Sequence, residues 1–199
     1  MSGPVVGAVL VRAAAPHEFD RVADLVELGF RNGPYGHFPV SAARTALVRD
    51  SAGRAAAGAL LVAVDEGSSD VGSPDQRGAD VPGVSLLGTA SLLRAGEAGS
   101  RLAQAGEAEL RLIAVDPGAR GRGIGETLVR AALDEATRWG VDAVVLDTGS
   151  LNLPAQRLYE RVGFQRHYDR TPDGLGGPGT PDEIAPFVYS FALHPLPTV

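Results

Sequence analysis

The chain has 199 residues, with 18 basic and 24 acidic side chains and a formal charge of −6. That length suits one domain, and the acidic balance argues against a surface built to coat nucleic acid. Cysteine and lysine are both absent, which excludes disulfides, metal–thiolate sites, thiol nucleophiles, a phosphate-loop lysine and a lysine Schiff base.

Val5–Arg12 reads as a first strand. Its apolar start loosely mimics a signal peptide, but no arginine precedes it and Arg12 falls where a cleavage region should be uncharged. No apolar run approaches the roughly 18 residues of a membrane span, so a cytoplasmic protein with no membrane partner is expected. Pro16 sits at a helix start, and Phe19, Val22, Leu25, Val26 and Phe30 recur at helical spacing. Gly29 and Asn32-Gly33-Pro34 end that helix. Phe30–Phe38 is a turn-rich connector, and Ala42–Arg49 a second short helix.

Ala56–Val64 and Val84–Leu93 read as strands. Between them Asp65–Gly83 carries five acidic residues against Arg77 alone, and its Gly, Ser, Asp and Pro content predicts a mobile loop. Arg94–Gly106 is a second polar connector. Glu107–Val115 follows as a strand, Gly123–Gly140 as a helix and Ala143–Asp147 as a buried strand. Pro154–Val162 is a helix that Asn152 is placed to cap. Phe164–Tyr168 and Ile184–His194 close the chain as strands, around a glycine- and proline-rich, mobile segment at 169–182. The strand–helix–strand order in the second half requires at least one parallel pair with a right-handed crossover. The expected fold is therefore α/β in one domain spanning 1–199. It has six or seven strands in a mixed, mostly antiparallel sheet, flanked by about four helices.

The most informative stretch runs from Leu110 to Arg130. A strand ends at Val115, Asp116-Pro117-Gly118 breaks it, and Gly121, Gly123 and Gly125 precede a helix. Alternating glycines let a ligand approach the backbone. The first N–H groups of a helix lack internal partners and, with the helix dipole, make an anion site suited to a pyrophosphate. Arg120 and Arg122 add positive charge. A dinucleotide fingerprint fails on spacing: the third glycine would fall at Leu128 or Glu126, although Asp147 lies where a ribose-binding acid belongs.

Arg120-Gly121-Arg122-Gly123-Ile124-Gly125 resembles the coenzyme A signature of the GNAT superfamily of N-acetyltransferases. Asn152-Leu153-Pro154-Ala155-Gln156-Arg157-Leu158-Tyr159, followed by Gly163-Phe164, resembles its second motif. The close resemblance covers Glu107 to Tyr168. It implies a GNAT-like sheet whose parallel central pair splays, acetyl-CoA as co-substrate, no metal, and direct acetyl transfer to a primary amine. It further implies a pyrophosphate held on the turn from Arg120 to Glu126. The pantetheine arm would lie along Ile113, Ala114 and Val115, with Asn152 bonded to it and Ala155 allowing close approach. Tyr159 would protonate the departing thiolate, and a backbone N–H of the strand would hold the developing oxyanion.

Glu109 is the candidate general base: by strict alternation it shares a face with Ile113 and Val115. Glu107 and Arg111 share that parity, so an ion pair with Arg111 is the competing reading, and a water chain also serves as a base. A β-bulge in this strand would reverse the parity of the residues before it. The acceptor, a small-molecule or peptide amine, would lie near Tyr35, His37, Phe38, His167 and Tyr168. A regulatory acyl-CoA-binding domain of the same fold is the alternative function. Related proteins are often homodimers, and the sequence leaves the oligomeric state open.

Overall fold

The computed structural model describes residues 9–65, 85–170 and 186–194. The first four residues of the expected opening strand lie outside these. So do the two expected mobile loops, apart from Asp65, Asp169 and Arg170.

Seven strands form one sheet: β1 (Val9–Ala13), β2 (Gly58–Asp65), β3 (Ser85–Arg94), β4 (Glu107–Val115), β5 (Ala143–Gly149), β6 (Gln165–His167) and β7 (Pro186–Ala192). Their spatial order is β1-β2-β3-β4-β5-β7-β6. Every pairing is antiparallel except β4 with β5. Five helices pack on the sheet: α1 (Phe19–Arg31), α2 (Ala42–Arg49), α3 (Ser51–Ala56), α4 (Ile124–Trp139) and α5 (Leu153–Val162). The expected strand from Ala56 therefore starts two residues later, because Asp50 caps α3 by accepting the Gly53 N–H at 2.8 Å.

The sheet is covered on both faces. Leu128, Val129, Ala132 and Ala136 of α4 pack with Leu92, Leu110, Val144 and Leu146. Burying a leucine such as Leu128 completely stabilises the fold by about 2 kcal/mol. On the other face Val22 and Leu25 of α1 meet Leu60, Val62 and Val64 of β2, while Val26 and Val48 meet Leu112 and Ala114 of β4. Gly29 lets α1 lie close to β4, since a Cβ there would stand 3.0 Å from the Ala114 Cβ.

Strand β4 changes faces midway. Ser91 pairs with Arg111 but Thr89 pairs with Ala114, so β4 carries one extra residue there. Leu112 takes φ 50°, a left-handed conformation that costs a branched residue on the order of 1–3 kcal/mol. This bulge overturns the strict alternation expected of β4. Ala108 and Leu110 face α4, whereas Leu112 and Ala114 face α1 and α2. Glu109 consequently lies on the opposite face from Ile113 and Val115.

Candidate active site

Strands β4 and β5 pair only at Glu107–Glu109 with Ala143–Val145. Beyond that point they separate, while β4 stays bonded to β3 as far as Val115. The edge of β4 from Arg111 to Val115 is thus open toward β5, with backbone donors and acceptors that the ladder does not use.

The glycine turn stands at the end of this edge. Gly121 and Gly123 adopt φ 79° and 80°, and a Cβ on either would project into open space. Gly123 is the N-cap of α4, so the unpaired N–H groups of the first turn of that helix face this opening. Gly125 has a different neighbour: its Cβ position lies 3.3 Å from Leu158 of α5, so this glycine brings the two helices together. The buried Ile124 anchors the turn in the main core.

The charged residues of the turn have partners. Arg120 donates to the carbonyls of Asn32 at 2.9 Å and Gly29 at 3.1 Å, closing the end of α1. Arg122 reaches Asp65 at 3.2 Å. Glu126 accepts from Arg130 and Arg161, and those bonds hold its carboxyl below the usual range. The positive charge expected on the anion site is therefore partly committed to holding the turn in place. What the turn offers directly is backbone N–H.

Helix α5 carries Tyr159. Its ring is buried and packs against Phe164 and Tyr189, with centroids 5.8 and 5.9 Å away. Burial raises its pKa first, and the charge of Asp147 and the neighbouring Tyr189 raise it further. The phenol thus stays protonated. Asn152 occupies the N-cap of α5, but its side chain does not cap the helix as expected; its carbonyl accepts the Ala155 and Gln156 N–H groups instead. Gln156 Nε2 takes the carbonyls of Gly149 and Ser150.

Glu109 is fully buried. Its Oε2 accepts the Arg101 and Leu102 N–H groups at 2.6 and 2.7 Å and the Ser100 hydroxyl at 3.1 Å, and its Oε1 lies 3.2 Å from Arg111 Nε. A carboxylate held by three donors and a guanidinium shapes the loop before β4. Glu107 is tied as firmly. Both its oxygens accept from Arg170, and Gln104 N–H adds 2.8 Å. Burial would raise its pKa, but these bonds outweigh that and hold it low.

The expected acceptor residues divide. The Tyr35 hydroxyl accepts the Leu151 N–H at 2.6 Å, lying over Gly149 where no side chain would fit. The Tyr35 and His37 rings both pack on Phe38. His167 bonds the Ser190 hydroxyl at 2.6 Å on the edge strand β6, which β7 separates from β5, and Tyr168 is 85% exposed. The sequence reading missed Arg44, Arg101 and Asp147 at this site. Arg101 grips both oxygens of Asp147 at 2.8 and 3.0 Å. Arg44 stacks on the Phe30 ring with its Cζ 4.3 Å from the centroid.

The model of the acetyltransferase (GNAT) family matches residues 41–164. Over 64 residues the chain is 42% identical to mycothiol acetyltransferase of Beutenbergia cavernae, covering 32% of this chain and 22% of that protein. Over 54 residues it is 43% identical to human N-acetyltransferase 8B, covering 27% and 24%. The matched stretches thus span about a quarter or less of these relatives. A GNAT acetyltransferase of Staphylococcus aureus superposes with TM-score 0.63 at 16% identity, over 94% of this chain and all of that one. An acetyltransferase of Salmonella typhimurium, solved with acetyl-CoA, superposes with TM-score 0.63 at 18% identity, over 96% and 97%. At such identities the structural likeness shows the fold.

Proposed function

Because this chain belongs to the acetyltransferase (GNAT) family, we propose that it transfers an acetyl group from acetyl-CoA directly to a primary amine. The observation that carries this reading is the open β4 edge running into the glycine turn. Acetyl-CoA supplies an activated thioester. The space over Gly121 and Gly123 fits its diphosphate, held by the amides of the turn and the start of α4. The backbone of Ile113–Val115 would pair with the pantetheine arm, and a β4 N–H would hold the thioester oxygen as it gains charge. The Asn152 side chain, released from capping, would bond the same arm.

The amine enters from the α1 and α2 face. As its nitrogen bonds to the acetyl carbon, the carbon–sulfur bond breaks, and the proton lost from nitrogen ends on sulfur. Tyr159 would donate its hydroxyl hydrogen bond to the departing thiolate. A thiol titrates near 8.5 and a phenol near 10, and the phenol here is raised further. Tyr159 therefore stabilises the thiolate chiefly as a donor, passing a proton on only as another replaces it.

The amine must also shed its proton. Glu109 and Glu107 are both locked in structural bonds. Three guanidiniums, Arg44, Arg101 and Arg111, stand within electrostatic reach of one another, opposed by Glu109 and Asp147. Such an excess of positive charge lowers the pKa of an ammonium group brought beside it. Water then suffices as the proton acceptor.

Thiol release from acetyl-CoA on a broad amine panel, with the acetylated product identified by mass, tests the proposal. Amine-dependent release supports it. Tight CoA binding with no release on any amine would favour a regulatory acyl-CoA-binding domain.

A further inference from the structure

The guanidinium of Arg44 is the least engaged charge in the gap. Arg101 holds Asp147, and Arg111 holds Glu109 and donates to the Gly99 carbonyl. The Arg44 guanidinium lies over the Phe30 ring, and among the described residues no carboxylate lies within ion-pair distance of it. Its side chain is exposed, yet burial by the surrounding walls lowers its pKa, with Asp147 opposing and Arg101 reinforcing. Phe30, beneath the Arg44 guanidinium, packs with Leu112 and Ala114 of β4, so Arg44 stands over the part of β4 that follows the bulge. Arg101 Nε is a buried donor without a partner in the same group. Unused donors in a partly dehydrated, net-positive recess favour an anion, and a planar guanidinium matches a carboxylate bidentately.

The recess also lies beside the chemistry. Asp147, which Arg44 feels, is also a charge that acts on Tyr159. Arg111, at its floor, immediately precedes the bulge at Leu112 that reverses β4. A ligand group on Arg44 would thus lie on the face of β4 that presents Leu112 and Ala114, beside its open edge.

Resting on the reading of the chain as an amine acetyltransferase, we propose that the acceptor carries a carboxylate close to its amine, with Arg44 binding that carboxylate. The acceptor class is then an amino acid rather than a simple alkylamine or polyamine. A polyamine would bring further positive charge against Arg44, Arg101 and Arg111.

The test uses thiol release from acetyl-CoA on the common L-α-amino acids, β-alanine and γ-aminobutyrate, each beside its carboxamide. The expected result is an accepted acid whose kcat/KM exceeds that of its amide at least tenfold. Arg44→Gln should erase that preference by raising KM for the acid at least tenfold more than KM for the amide, while CoA affinity stays within twofold. Equal turnover of acid and amide, or a preference that survives Arg44→Gln, overturns the proposal while leaving amine acetylation intact. Thiol release on no amine at all overturns the enzymatic reading and this proposal together. Because Arg44 is exposed on α2, the variant is expected to keep its melting temperature, which separates loss of recognition from loss of fold.

Discussion

The carboxylate of Glu109 accepts the backbone N–H of Arg101 at 2.6 Å, while the guanidinium of Arg101 reaches Asp147 at 2.8 Å. One loop residue therefore ties together acidic side chains on the two strands that separate around the gap. Glu109→Gln keeps one acceptor oxygen but leaves Arg111 without its counter-charge. Removing a charged partner of buried hydrogen bonds costs about 2 kcal/mol. Denaturant unfolding should show that loss, and turnover per folded molecule should fall less than threefold. A general base would instead cost about a hundredfold or more, so a drop of that size with the fold intact would restore the base role. The rising limb of the pH–rate profile should follow the acceptor amine and stay in place in the variant.

Tyr159→Phe removes one hydroxyl and keeps the ring among Phe164 and Tyr189. Turnover should fall by about a hundredfold, as for loss of one positioned hydrogen-bond donor to developing negative charge. CoA affinity, measured by calorimetry, should change less than threefold. Equal losses in both would mean that the hydroxyl serves binding.

Alkaline stability offers a separate check on the same side chain. The folded state raises the Tyr159 pKa, by burial first and by Asp147 next. A raised folded value means that the native state keeps a proton which the unfolded chain sheds. Stability from Tyr159 is complete below pH 10, near the ordinary phenol value, and declines as pH rises toward the folded value. The lysine-free sequence leaves the window above pH 10 free of ammonium side chains. The wild type should lose up to about 1.4 kcal/mol per pH unit relative to Tyr159→Phe in that window. Parallel stability curves would show that the phenol is not buried as described.

Gly149 lies directly beneath the Tyr35 hydroxyl, in a place a methyl group would occupy. Gly149→Ala should push the Tyr35 tip off the Leu151 N–H. Since that tip ends a rotatable side chain, the stability loss should stay near 1 kcal/mol, the worth of the bond. KM for the acceptor should rise several-fold, and Tyr35→Phe should reproduce the change. Unaltered acceptor kinetics in both would remove Tyr35 from the site.

Much of this architecture was legible in residue patterns. Apolar runs gave β2 to β5, and the glycine turn carried its own signal. What escaped was set by tertiary contacts. The bulge at Leu112 leaves no trace in composition, because a leucine at φ 50° has no local reason to be there. Its packing against Val26 and Val48 holds it. Parity counting across it misplaced Glu109. The recess of Arg44, Arg101 and Asp147 joins α2, the loop before β4 and β5. Nothing in the spacing of three such distant residues announces their meeting. Arg120 read as a phosphate ligand, yet the chain folds α1 back within its reach.

The central claim is that backbone amides of the glycine turn and of the open β4 edge hold coenzyme A. It is tested most directly by titrating CoA into ¹⁵N-labelled protein and following each amide. The largest shifts are expected at Gly121–Gly125 and Ile113–Val115. Saturable binding that leaves those amides unmoved, with shifts clustered elsewhere, would contradict it.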